Sequence, residues 1–393
     1  MQNQKIKSAF ICVTVLVFAS VAAGQQTLAK LDQVRKHYEA AQTLERQGKW
    51  NEAEQEWRAA LELIPADARA WTNLGVTLNR QEKTAEALDA WRKAMSIDPR
   101  LPGPHFNLGL TLVRRGDYPN AIAPLRQTLA LDPNNEGARR ALAVALTGAD
   151  KHAEATPVIE ELVSRSPQDA ALLELAAQNF QRQKLYAEAA TVLQRRLALP
   201  KPTSFLWAQY GDALDGAGRT PEAADAYKKA VELDPESTLT RYGLGYLYWK
   251  LYRYDDAERE LLEVLRRAPK DPHASFTLGD LYLTKGNPQQ ALPFLEVARA
   301  AYPKEFDTRF ALGRALVLTG DVERGIEELR AAVGIDNTIA DGHFQLGRAL
   351  IKAGRSDEGK RELQKAQTLH DRQRRKESDQ YRKKLPDPRP DPR

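Results

Sequence analysis

The stretch Ser204–Ser237, SFLWAQYGDALDGAGRTPEAADAYKKAVELDPES, has the pattern of two short amphipathic helices joined by a turn. Gly211 lies on the apolar face of the first helix. Because Gly costs a helix interior about 1 kcal/mol relative to Ala, Gly211 indicates that another helix packs directly on the backbone. Thr220 is expected to cap the second helix, and Pro235 to end it. Such a pair cannot bury both faces alone, so the stretch predicts neighbours like itself.

The same 34-residue unit recurs without insertion or deletion, and ten units fit residues 34–373. Two positions stay small in every unit, which predicts close packing of the two helices. Glycine fills the eighth position in seven units: Gly75, Gly109, Gly211, Gly245, Gly279, Gly313 and Gly347. The twentieth position is never larger than Ala, as at Ala87, Ala223 and Ala257.

This pattern resembles the tetratricopeptide repeat (TPR), whose signature includes Leu-Gly, Ala, an aromatic residue and Pro at fixed offsets. The second unit has Leu74-Gly75, Ala87, Trp91 and Pro99 at those offsets. The resemblance implies an all-α fold, an α-solenoid in which stacked antiparallel helix pairs form a right-handed superhelix. It also implies that the first helices line a concave groove that binds protein or peptide partners.

The sequence divides into four segments. Residues 1–23 have the basic start, apolar core and small-residue exit of a secretory signal peptide, with cleavage expected after Ala23. The alternative is an uncleaved membrane anchor. A lead-in at 24–33 precedes the repeats, and 374–393 is expected to be a charged, Pro-rich, disordered tail. We therefore expect export to the periplasm or secretion, or anchoring if the signal is retained.

The charge distribution argues against nucleic-acid binding. The formal net charge is +5, but two lysines belong to the signal and residues 371–393 carry a net +4. The remaining body is close to neutral and has no basic footprint for DNA or RNA. The tail either continues the last helix as a solvated cap and then extends, or binds a partner or polyanion.

No residue set for catalysis or metal binding is found. The single cysteine, Cys12, lies in the signal segment, and the six histidines have no partners at metal-ligand spacing. His37, His105 and His343 share the fourth repeat position with Trp71, which indicates a structural role. We expect no enzyme activity, no cofactor, no metal and no small-molecule substrate.

The groove-facing positions of the last four repeats form the candidate site. Mapping the family's groove positions onto them gives an aromatic and basic set: Tyr242, Tyr246, Trp249, Lys250, Phe276, Phe310, Arg314, Phe344, Arg348 and Lys352. Phe276, Phe310 and Phe344 recur every 34 residues, so they either form a ligand-binding stripe or pack into the core between repeats. Aromatic anchors beside Arg suit an acidic or extended peptide.

Two functions follow from this sequence. The first is a non-catalytic, exported scaffold that binds protein or peptide partners in the groove. The alternative is a helper in cell-envelope assembly or polysaccharide export that contacts glycan or outer-membrane components.

Overall fold

The computed structural model describes residues 28–384, and the expected signal segment 1–23 lies outside the described residues. Within 28–384 the secondary structure is helical, with no strand, which confirms the all-α fold class. The chain divides into two compact units, Met1–Gln183 and Lys184–Arg393. The division falls inside the fifth repeat, so its first helix belongs to one unit and its second helix to the other.

The first unit contains nine described helices, each packed on the next in sequence. They are α1 (28–46), α2 (Trp50–Leu63), α3 (Ala68–Arg80), α4 (Thr84–Ile97), α5 (Pro102–Arg114), α6 (Tyr118–Leu131), α7 (Glu136–Gly148), α8 (His152–Arg165) and α9 (Ala170–Arg182).

The second unit contains eleven described helices, again packed in sequence. They are α10 (Tyr186–Leu197), α11 (Ser204–Gly216), α12 (Thr220–Leu233), α13 (Thr238–Lys250), α14 (Tyr254–Arg267), α15 (Pro272–Thr284), α16 (Pro288–Ala301), α17 (Phe306–Thr319), α18 (Val322–Ile335), α19 (Ala340–Lys352) and α20 (Ser356–Lys384). Odd-numbered helices are the first helices of the repeats.

Glycines at the eighth repeat position lie beneath a large side chain from the second helix of the same repeat. A Cβ at Gly75 would lie 2.4 Å from Trp91 Nε1, and one at Gly211 would lie 2.5 Å from Tyr227 Cδ2. The same close approach to the second helix occurs at Gly109, Gly245, Gly279, Gly313 and Gly347. The small residues at the twentieth position, Ala87, Ala223 and Ala257, are fully buried. These positions set the spacing of each helix pair.

The turn between the two helices of a repeat uses a left-handed backbone conformation at the fifteenth position. Glycine holds this conformation in six repeats, for example Gly218 at φ +79°. Glu82, Asp150, Lys184 and Tyr252 hold it in the other four, with φ between 56° and 64°. Non-Gly residues adopt this region at a cost, so these four turns carry local strain.

A side-chain hydrogen bond ties the start of a repeat to the loop before it. The residue at the fourth position donates a nitrogen-bound hydrogen to the carbonyl six residues earlier. Trp71 Nε1 donates to the Pro65 carbonyl at 2.9 Å, and His105 Nε2 to the Pro99 carbonyl at 3.0 Å. Arg139, Arg241, Arg309 and His343 do the same at 2.5–3.0 Å. The histidines at this position are therefore structural.

Two expected segment boundaries and one cap are corrected by the structure. Residues 28–33, expected in a lead-in, belong to α1, where Asp32 pairs with Arg35 and Lys36. Residues 374–384, assigned to the disordered tail or, alternatively, to a continuation of the last helix, continue α20, because strong helix formers fill this stretch and Gln373 hydrogen-bonds Glu377 one turn on. Thr220 is the first helical residue of α12, and its hydroxyl donates to Asp215.

Candidate partner-binding groove

The candidate site lies on four first helices of the second unit, α13, α15, α17 and α19. Each contacts the next first helix along the stack. Their fifth, ninth, twelfth and thirteenth positions carry the residues assigned to the groove. The structure separates these residues into two regions of different chemistry.

The first region is a continuous series of aromatic rings, which we name the aromatic ladder: Tyr302, His273, Tyr242, Tyr246 and Trp249. Successive ring centroids lie 5.4, 5.9, 6.3 and 5.7 Å apart. The Tyr302 hydroxyl and His273 Nε2 are 2.9 Å apart. Tyr242 and Trp249 also pack against the core, which fixes the ladder to the scaffold.

Two ladder residues were missed by sequence reasoning. His273 occupies the second position of its repeat, which the family also directs to the groove, so the repeat register contained a signal for it. Tyr302 directly follows a second helix, α16, and joins the ladder through its contact with His273. No groove position of the repeat predicts Tyr302.

The cation beside the ladder, Lys250, is neutralised by an ion pair. Lys250 Nζ lies 2.7 Å from both carboxylate oxygens of Asp215 and 5.8 Å from the centre of the Tyr246 ring. Lys250 therefore forms an ion pair with a residue of the preceding repeat. This ion pair offsets the positive charge that was expected of Lys250. Burial raises the pKa of Asp280, opposed by the positive charge of Arg314 and a hydrogen bond from Trp249.

The three recurring phenylalanines do not share one environment. Phe276 and Phe310 are half-buried and pack against the cores of their repeats, and Phe310 stacks on Phe306 at 5.3 Å. Phe344 is 40% exposed. The core alternative therefore describes Phe276 and Phe310, and Phe344 presents a ring to solvent.

The second region is a cavity of about 620 Å³ on α17 and α19, which we name the basic pocket. Three cations line it: Arg314, Arg348 and Lys352. Its remaining walls are Val317, Leu318, Leu329, Gln345 and Ile351, so no carboxylate lines it.

The cations of the basic pocket are held in place without forming an ion pair, although Arg314 interacts electrostatically with Asp280. Arg314 lies over the Phe310 ring at 5.5 Å, and Arg348 over the Phe344 ring at 5.8 Å. Lys352 Nζ donates to the Val317 carbonyl at 2.7 Å. Within residues 28–384, none of the three cations has a carboxylate at ion-pair distance in the structure. The pocket therefore retains its positive charge beside an apolar wall.

Among the described residues, no group of three or more His, Cys, Asp or Glu side chains could hold a metal ion. No helix in the described part of the chain is both long and apolar enough to span a membrane.

The chain belongs to the tetratricopeptide repeat family, which confirms the resemblance. Profiles of the tetratricopeptide repeat match residues 38–102, 112–179, 210–272, 242–306 and 276–338. Tetratricopeptide repeats form protein-interaction scaffolds, and this is the general class of function that membership gives the chain.

The chain is also similar to one curated protein and to solved structures. Tetratricopeptide repeat protein 37 of Xenopus laevis is 32% identical over 119 residues, which is 28% of this chain and only 8% of that protein. MamA of Desulfovibrio magneticus RS-1 is 23% identical, covering 44% of this chain and 99% of its own, with a TM-score of 0.41. YrrB, described as a TPR protein with an unusual peptide-binding site, is 22% identical, covering 46% and 93%, with a TM-score of 0.42.

Proposed function

We propose that this protein is a non-catalytic scaffold whose basic pocket holds an acidic, extended segment of a partner protein. The observation that carries the proposal is the set of three cations, Arg314, Arg348 and Lys352, which line one cavity without a carboxylate. Arginine binds carboxylates with two parallel hydrogen bonds, so a pocket of this kind favours Asp or Glu side chains.

The apolar wall adds a second requirement for the ligand. Leu318 is 58% exposed and Ile351 is 41% exposed, both beside the cations. Apolar side chains that are exposed at the rim of a cavity gain free energy when a ligand covers them. The segment that fits best therefore alternates acidic residues with an aliphatic anchor.

A peptide-binding measurement tests this proposal. The probe is a labelled ten-residue peptide of alternating Glu and Leu, with a Gln-Leu peptide of the same length as its neutral counterpart. Fluorescence anisotropy should show tighter binding of the Glu peptide, and added salt should weaken it. Arg348→Ala with Lys352→Ala should weaken binding at least tenfold, because charge-assisted hydrogen bonds are lost.

The matched control removes the same charge elsewhere. Arg372→Ala with Lys376→Ala, on exposed positions of α20, should leave binding of the Glu peptide unchanged. Equal losses in the two double variants would show that net charge, and not the pocket, attracts the peptide. That result would refute the proposal.

A second function is favoured by Phe344 alone. Its ring is 40% exposed, with Arg348 lying over it. In the envelope-assembly alternative, this ring stacks on a sugar face. A glycan array probed with wild type and Phe344→Leu would favour this function if binding occurs and is lost in the variant. Absence of any glycan signal would reject it.

Export is a separate part of the proposal. It is supported by the basic start and apolar core of residues 1–23. Fractionation of expressing cells, followed by N-terminal sequencing, should place the protein outside the cytoplasm with its chain starting at Gly24. A cytoplasmic protein that retains Met1 would overturn export.

A further inference from the structure

The aromatic ladder is a second surface, separate from the basic pocket, and the proposed function does not use it. Its rings are partly open, since Tyr246 is 37% exposed and His273 is exposed. Its cation, Lys250, is already held by Asp215. The ladder therefore suits a ligand segment that packs on aromatic rings and needs no unpaired cation in the site.

Two carboxylates near the ladder, Asp271 and Asp212, form no ion pair among residues 28–384. Asp271 interacts electrostatically with Tyr242 and accepts a hydrogen bond from the Ala274 backbone. Asp212 lies one helical turn from Asp215 and accepts a hydrogen bond from the Tyr227 hydroxyl. Neither forms an ion pair with any residue of 28–384 in the structure. A ligand that carries Arg would therefore find a partner beside the rings.

We propose that the ladder is the docking site for residues 385–393 of a second copy of this chain. That segment reads LPDPRPDPR, with proline at every second residue from Pro386 to Pro392. Proline fixes the backbone torsion and excludes a regular helix, so the sequence favours an extended polyproline conformation. Aromatic-lined grooves bind such segments with little loss of conformational entropy.

The segment carries two aspartates, Asp387 and Asp391, beside its two arginines, so only the arginines complement the carboxylates near the ladder. Arg389 and Arg393 are separated by one Pro-Asp-Pro step. In this proposal Asp271, which acts on Tyr242, and Asp212, one helical turn from Asp215, accept hydrogen bonds from the arginines. Arginine also stacks on aromatic faces, as Arg253 does over the Tyr248 ring at 4.3 Å.

The length of α20 favours a second copy over the same chain. α20 has 29 residues, whereas the second helix before it, α18, has 14. At a rise of about 1.5 Å per residue, α20 carries residue 384 about 22 Å beyond the point at which a helix like α18 would end. The end of α20 therefore lies well beyond the end of a repeat helix, which favours another molecule as the docking partner.

A direct binding measurement tests the site. A labelled peptide of residues 382–393 is titrated into protein that ends at Lys384, which retains every described residue. We expect saturable binding that Tyr246→Ala weakens about tenfold, as expected for loss of one aromatic contact. The control Tyr252→Ala removes a tyrosine that is 78% exposed and lies outside the ladder, and should leave binding unchanged. A peptide with its four prolines changed to alanine should bind at least tenfold more weakly.

Self-association of the full chain tests the second copy. Sedimentation velocity should show concentration-dependent assembly that disappears on removal of 385–393 and on Tyr246→Ala. A full chain that stays monomeric at all concentrations would overturn docking between copies. Peptide binding that is absent, or equal in the Tyr246→Ala and Tyr252→Ala proteins, would overturn the site. Binding of the Glu-Leu peptide, measured in parallel, reports on the basic pocket, so the two proposals fail separately.

Discussion

Tyr227 provides the sharpest test of how the repeats are packed, because its ring lies between two glycines. A Cβ at Gly211 would lie 2.5 Å from one edge of the ring, and a Cβ at Gly243 would lie 2.3 Å from the other. The Tyr227 hydroxyl also donates to Asp212 Oδ1 at 2.5 Å. The ring therefore cannot move aside to accept an added methyl group.

Gly211→Ala should destabilise the protein by about 1–2 kcal/mol. Overpacking costs about 1–3 kcal/mol, and the better helix propensity of Ala returns up to about 1 kcal/mol. Because repeat arrays open locally, the effect should appear as amide hydrogen exchange in α11 and α12 that is about 5- to 30-fold faster.

Two further variants test whether contact with the Tyr227 ring causes the destabilisation. In a Tyr227→Ala protein the ring is gone, so Gly211→Ala should slow exchange relative to Tyr227→Ala alone. Gly334→Ala, on α18 where a Cβ would meet nothing within 4 Å, should also be neutral or stabilising. If Gly211→Ala costs the same with and without the ring, the methyl group does not meet Tyr227 and the assigned packing is wrong.

Three further outcomes are expected. Tyr252→Gly should stabilise the protein by about 0.5–1 kcal/mol and so raise its melting temperature, because it relieves the strain of a φ of 59° at an exposed residue. A lower melting temperature would contradict the strain. The folded-state pKa of Asp280 is raised, so its contribution to stability declines as the pH rises above 3.8, the unfolded value. The melting temperature of Asp280→Asn, relative to that of wild type, should therefore increase as the pH rises from about 3 to about 7. A difference that does not change with pH would refute this. Trp71→Phe removes the donor to the Pro65 carbonyl and should cost about 0.5–1.5 kcal/mol in urea unfolding, whereas an unchanged midpoint would show that the bond contributes nothing.

Much of the fold was predictable because its constraints recur at a fixed spacing. The small residues at the eighth and twentieth positions set the register, and the observed helices follow it from α2 to α19. The ends were less predictable, because no repeat lies beyond them to set a boundary. At those ends helix propensity and local ion pairs decide, and both α1 and α20 are longer than the repeat pattern indicated.

The candidate site was predictable in position but not in chemistry. The repeat register located Phe276, Phe310 and Phe344 on first helices, but only the packing of neighbouring side chains decides which ring is exposed. The neutralisation of Lys250 depends on Asp215, 35 residues earlier, in the preceding repeat. The same 35-residue separation joins Lys352 to Val317, so the repeat explains the contact but not which charges meet there.

The hydrogen bond at the fourth repeat position has a consequence for how such arrays change over time. Tryptophan, histidine and arginine all make it, although they differ in size, charge and aromaticity. A comparison by residue identity would score this position as freely variable, whereas a comparison by chemical group finds one requirement, a nitrogen-bound hydrogen within reach of one carbonyl. Substitution among these three residues is therefore nearly neutral for the architecture, and the array can alter its surface charge there repeat by repeat.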